Sequence, residues 1–148
     1  MTAPLHLLRG FVQWDDRRAG GGPIKTIDEA EAWVRHIAEL GFDRFYTETT
    51  RHVTRAAELQ GGSVYFVGGP KRNQALFRMP FVEIEGEAGD WAICMRPELI
   101  RVRQDFVGKV RGWRYLKHAD APPDLPRVAG AGDAPPEMAA ELKELGLA

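Results

Sequence analysis

Between Ser63 and Arg103 glycine and proline cut the chain into short apolar and β-branched runs at regular intervals, and this spacing restricts the fold more than any other feature. Ser63 to Val67, Ala75 to Glu85, Trp91 to Met95 and Leu99 to Arg103 each read as a strand. The segments Gly68-Gly69-Pro70-Lys71-Arg72-Asn73 and Gly86 to Asp90, together with Pro97, separate them. Pro80 has no amide to give to a ladder, so it predicts an edge or a bulge within the second run. A meander of this kind predicts a small β-barrel or a curled, mostly antiparallel sheet.

Upstream, Leu5 to Val12 reads as a strand and Trp14 to Gly22 as a glycine-rich loop. Thr26-Ile27-Asp28-Glu29 has capping-box spacing, with Glu29 placed to reach back to the Thr26 amide. A helix over 27–40 follows, because Ile27, Ala30, Trp33, Val34, Ile37, Ala38 and Leu40 repeat at three and four; Gly41 ends it. Phe42 to Val53 predicts a strand running into a loop, and Thr54 to Gln60 a short helix stopped by Gly61-Gly62. The fold class is therefore α+β, a sheet or barrel with flanking helices.

With 148 residues the chain suits one domain over 1–128, followed by a Pro/Gly-rich linker and a C-terminal helix within 129–148. In that last helix Met138, Leu142 and Leu145 share helical spacing, a surface suited to the core, to a second copy or to a protein partner. A hydrophobic content of 44% supplies a core, while 28% charged residues and the lack of a long apolar run exclude a membrane-spanning helix. Arg9 interrupts the apolar N-terminal stretch and no basic region precedes it, so a cytoplasmic location is expected. One cysteine, Cys94, excludes an internal disulfide and reads as a buried, inert thiol between Ile93 and Met95.

The net charge of -1 conceals a division: residues 1–43 carry 5 basic and 7 acidic groups, 44–118 carry 13 and 8, and 119–148 carry 2 and 6. A middle segment at +5 within a near-neutral chain points to one anion-facing surface. Two clusters concentrate it. Thr49-Thr50-Arg51-His52-Val53-Thr54-Arg55 gathers hydroxyls, guanidiniums and an imidazole suited to a phosphate or nucleobase. The same residues also suit an edge strand running into a Thr54-capped helix. Lys109 to His118 interleaves cations with Trp113 and Tyr115, as single-stranded nucleic acid would require, although those two share strand parity and equally suit a core. Arg101 and Arg103 share a parity and predict a basic strip. No Walker A loop, GxGxxG, HExxH or GxSxG occurs, and His6, His36, His52 and His118 are too scattered for a compact metal site.

The runs Thr49-Thr50-Arg51, Arg55-Ala56-Ala57-Glu58-Leu59, Gly61-Gly62-Ser63-Val64-Tyr65, Pro97-Glu98-Leu99-Ile100 and Gly112-Trp113-Arg114-Tyr115-Leu116, with Glu141 to Leu147, resemble the alphaproteobacterial domain of unknown function 1489. That resemblance spans nearly the whole chain, diverges most at 14–22 and implies a small cytoplasmic bacterial protein without an assigned activity. The element order is similar to PUA-like barrels, including the ASCH and EVE groups, which implies a cleft for RNA or a modified base.

The reading that follows is a non-enzymatic binding module for RNA or a nucleotide-type anion. Arg51, Arg55, Arg101, Arg103, Arg111 and Arg114 would meet phosphate, Trp113 and Tyr65 would stack on a base, and Thr50 and His52 would read polar edges. No catalytic residue, cofactor or metal is assigned. One alternative is a small enzyme on a phosphorylated substrate, with His52 as general base oriented by Glu48 or Glu58 and Arg51 as anion clamp. Another is an adaptor docking through the C-terminal helix.

Overall fold

The computed structural model describes residues 3–10, 14–15, 23–24, 26–68, 73–108, 110 and 112–126. The expected linker and helix over 129–148, together with Lys109 and Arg111, lie outside the described residues.

In chain order the elements are β1 (His6–Gly10), β2 (Trp14–Asp15), β3 (Pro23–Ile24), α1 (Ile27–Glu39), β4 (Phe45–Thr49), β5 (Ser63–Gly68), β6 (Gln74–Glu87), β7 (Asp90–Met95), β8 (Ile100–Arg101) and β9 (Trp113–Leu116). Among the described residues the main sheet has seven strands, ordered β4-β7-β6-β5-β1-β9, with β8 beside β6; β2 and β3 pair separately. The β1–β5 pair is parallel and its other pairs are antiparallel. The sheet is open, because its hydrogen-bonded path begins at β4 and ends at β9.

α1 forms where its apolar spacing requires it. Ala30 and Val34 are buried, and Ile27, Trp33 and Ile37 pack along the same stripe. Thr26 Oγ1 accepts the Glu29 amide at 3.1 Å. The Glu29 carboxylate then accepts from the Thr26 hydroxyl at 3.0 Å instead of reaching the Thr26 amide, so this cap closes differently from the expected box. Gly41, at φ +90°, ends the helix in the left-handed region.

β6 is one strand of 14 residues serving two partners. Its first half pairs with β5 as far as Pro80, and its second half pairs with β7 from Phe81 onward, with a register shift between Phe81 and Glu83. Pro80 thus sits where the strand changes partner, a position compatible with its missing donor.

Side chains divide with period two between two cores. Leu7, Val64, Phe66 and Phe77 enter the cluster that α1 covers; Leu8, Tyr65 and Val67 enter a second cluster covered by Val102, Val107, Val110 and Ala121. β5 is buried along its whole length for this reason.

Four expected elements differ. Trp14 and Asp15, expected to open a loop, form β2 paired with Pro23–Ile24 of β3. The strand expected from Phe42 begins at Phe45. The helix expected over 54–60 is a 3-10 turn over Ala56–Leu59: the Glu58 amide reaches the Arg55 carbonyl, three residues back, at 3.0 Å, while Tyr115 Oη satisfies the otherwise free Arg55 amide at 3.0 Å. The strand expected over 99–103 shortens to Ile100–Arg101, because the Arg103 amide turns to the Pro123 carbonyl at 2.9 Å.

Candidate functional site

The two ends of the sheet path approach each other, and side chains bridge the gap. From β1, Arg9 Nη2 donates to the Glu48 carbonyl of β4. Arg51, just past β4, donates to the Trp113 carbonyl of β9 and lies 3.9 Å above the Trp113 ring centroid. The Arg55 guanidinium stands 5.2 Å from the Tyr115 centroid, and Trp113 meets Tyr115 edge to face at 5.0 Å. This seam joins both clusters singled out in the sequence. It uses them differently from the sequence expectation.

Trp113 and Tyr65 are each 5% exposed, so neither presents an open ring face to a base. Trp113 faces the first core and Tyr65 the second, which places them on opposite sides of the sheet. His52 stacks on Trp91 with centroids 4.0 Å apart, and no carboxylate orients it among the described residues: Glu58 holds Arg55 through two bonds of 2.6 and 2.7 Å. The arrangement expected of a His52 general base is therefore absent there. Thr50 is exposed beside this seam.

The remaining cations disperse. Arg101 turns to Asp28 and Glu31 of α1, and Arg103 to Asp105, so the expected basic strip is neutralised in place. Arg114 donates to the Val107 carbonyl. Arg111 lies outside the described residues.

Beside the seam is an open hollow of about 700 Å³ whose rim carries Arg55, Glu58, Gln60, Lys117 and His118 and whose walls include Pro4, Leu5 and Ala57. Lys117 and His118 follow directly from β9, whereas Glu58 belongs to the 3-10 turn and Arg55 immediately precedes it. Under the hollow His6 and His118 meet, Nε2 to Nδ1, at 2.9 Å. The Ser63 amide donates to His6 Nδ1 at 3.0 Å, a contact that needs the bare backbone of Gly62: a Cβ there would stand 2.2 Å from the Leu5 carbonyl oxygen. Ser63 Oγ in turn accepts from Arg78, which grips Asp124 through bonds of 2.7 and 2.8 Å. The side-chain contacts His6–His118 and Arg78–Asp124 thus fasten the segment after β9 to the sheet, beside the backbone bond from the Leu125 amide to the Arg101 carbonyl.

Burial, assisted by His118 and Arg78, pushes the His6 imidazole down to about 4. Hydrogen bonding to Arg55 holds the Glu58 carboxyl below the usual carboxylate range, and Arg78 does the same for Asp124. Burial pushes the Cys94 thiol up to about 11, with Glu85 adding to the effect, which suits an inert core residue. Among the described residues no group of three or more His, Cys, Asp or Glu side chains gathers at metal-binding range. The His6 geometry also opposes metal binding: a ligating Nε2 needs its proton on Nδ1, which here faces the Ser63 N–H.

Sequence reasoning missed His6, Arg9 and the role of Lys117 and His118. The 112 residues separating His6 from His118 leave no local spacing to detect. Only the parallel β1–β5 pairing and the antiparallel β1–β9 pairing bring them together.

Residues 23–148 match the model of a family described as protein of unknown function (DUF1489), and the chain belongs to that family. No curated protein and no solved structure matches it.

Proposed function

We propose that this DUF1489 member is a non-enzymatic binding module that holds a small nucleotide-type anion in the hollow beside the seam. The observation that carries this reading is the rim itself: Lys117 and His118 stand beside the Arg55–Glu58 ion pair around a hollow of about 700 Å³. A cavity of a few hundred Å³ with apolar walls and a few polar groups is the usual form of a small-ligand site. Arg55 also connects the hollow to the Tyr115 ring, whose partly buried edge offers an apolar border. The PUA-like reading of the fold belongs to this proposal, supported by a curled sheet with a hollow beside its flanking turn.

An extended RNA track is less well supported, because Arg101 and Arg103 are committed to carboxylates. The test begins with mass spectrometry of whatever copurifies at low salt, then titrates AMP, adenosine and inorganic phosphate into the purified full chain. AMP and phosphate should bind, adenosine should bind more weakly than AMP, and Lys117→Ala should weaken the two anions about tenfold. No binding of either anion, with no copurifying phosphorylated compound, would overturn the proposal.

A further inference from the structure

The hydrogen bonds beneath the hollow specify which nitrogen of His118 carries a proton. His6 is 5% exposed, and its Nδ1 faces a buried backbone donor, the Ser63 amide, at 3.0 Å. A peptide N–H cannot accept, so Nδ1 must offer its lone pair and the neutral His6 ring must carry its proton on Nε2. That proton points along the 2.9 Å contact to His118 Nδ1, which must then be the acceptor. A neutral ring accepting at Nδ1 carries its own proton on Nε2. His118 lines the hollow, and its Nε2 has no hydrogen-bond partner among the described residues.

We propose that His6 is a positioning residue that locks His118 into the neutral Nε2–H tautomer, so that the hollow presents a fixed N–H donor and recognises an acceptor oxygen of its ligand. This inference rests on the anion-binding reading and refines it. With Lys117 beside it and Glu58 held by Arg55, the matching chemistry is an oxyanion, a phosphoryl or carboxylate group, rather than a donor such as an amine. It also separates His118 from a general base: its Nε2 lone pair is not available while Nδ1 accepts from His6. The surroundings hold His6 in this state, since Arg78 and the edge of Tyr65 face its ring while Asp124 is taken by Arg78.

Nitrogen-15 NMR of the histidine rings in the full chain at neutral pH tests the tautomers directly, without a ligand. Both His6 and His118 are expected as Nε2–H; a His118 that carries its proton on Nδ1 overturns the proposal. His6→Gln keeps an oxygen for the Ser63 amide and an N–H for His118, so it should retain the His118 tautomer and hold phosphate affinity within about twofold of the natural chain. His6→Phe should release His118 into a mixture of tautomers and weaken phosphate about tenfold. Because His6→Phe leaves the Ser63 amide unpaired and could unfold the chain, the measurement on the natural chain decides by itself. Phosphate that fails to bind while both tautomers are Nε2–H would overturn the anion-site reading and support the tautomer assignment. An unchanged His118 tautomer in a folded His6→Phe chain would overturn the role of His6.

Discussion

Burial gives His6 a pH dependence whose sign follows from its surroundings. In the unfolded chain the imidazole takes a proton near 6.5, whereas in the folded chain it resists protonation until about 4. Between those values the unfolded state binds more protons, so stability falls as pH drops from 6.5 to 4 and is intact above that window. The difference corresponds to at most about 3 kcal/mol. Urea melts at pH 7, 5.5 and 4 check it: the natural chain should lose stability across the window, and His6→Gln should lose less, since its amide does not titrate. The facing groups, Arg78, His118 and Tyr65, oppose a positive His6 or leave it unpaired, because Asp124 is occupied by Arg78. Arg51 supplies a second test at this scale. Its stacking on Trp113 is worth about 1 kcal/mol, so Arg51→Ala should lower the unfolding free energy from denaturant melts by about that amount. Arg51→Lys keeps the charge and loses the planar contact, and it should fall in between.

At the scale of elements, two short signals govern where the chain turns. Thr26→Ala removes the oxygen that accepts the Glu29 amide and should cost about 1 kcal/mol, read from thermal melts. Gly62→Ala forces a methyl against the Leu5 carbonyl and the His6 ring, both in the well-packed start of β1 and β5. A cost of at least about 2 kcal/mol is expected, together with altered His6 and His118 ring signals; a folded, unshifted variant would show that this backbone yields. The helix at 27–39 was readable because its apolar stripe and its cap are both local in sequence. The 3-10 turn at 56–59 was not, because part of what holds its start, the Tyr115 hydroxyl on the Arg55 amide, lies 60 residues away.

For the whole molecule, the seam between the sheet ends is the distinguishing feature. Arg9 and Arg51 both cross it, with Arg9 on the Glu48 carbonyl and Arg51 on that of Trp113. Replacing both, Arg9→Met with Arg51→Ala, should speed amide exchange in β4 and β9 while the β5–β6 pair stays protected, because the central strands are buried on both faces. Uniform exchange across all strands would show that the seam does not hold the sheet ends. The anion reading has its own signature at this scale. A ligand meeting one or two cations at one rim should show a shallow salt dependence, with a log–log slope of about 1 to 2, whereas RNA tracking many cations would show a much steeper one.

The sequence by itself determined the strand-rich α+β character, the run of strands between 63 and 101, the helix with Thr26 at its cap and a buried Cys94, since each follows from periodicity, turn residues or composition within a short window. It also showed that cations and aromatics recur in two clusters. Only the tertiary structure decided what those residues do. Pairing across β1, β5 and β9 turned Trp113 and Tyr65 inward, and the fold brought Arg101 to α1 and Arg51 onto Trp113, so most of the apparent phosphate contacts became internal ones. The same pairing set His6 against His118 under a hollow that no local pattern announces. Charge and aromaticity are properties of residues and can be counted along a chain. Whether a charge is free or neutralised, and whether a ring is open or buried, depends on distances that arise only when strands far apart in sequence lie side by side.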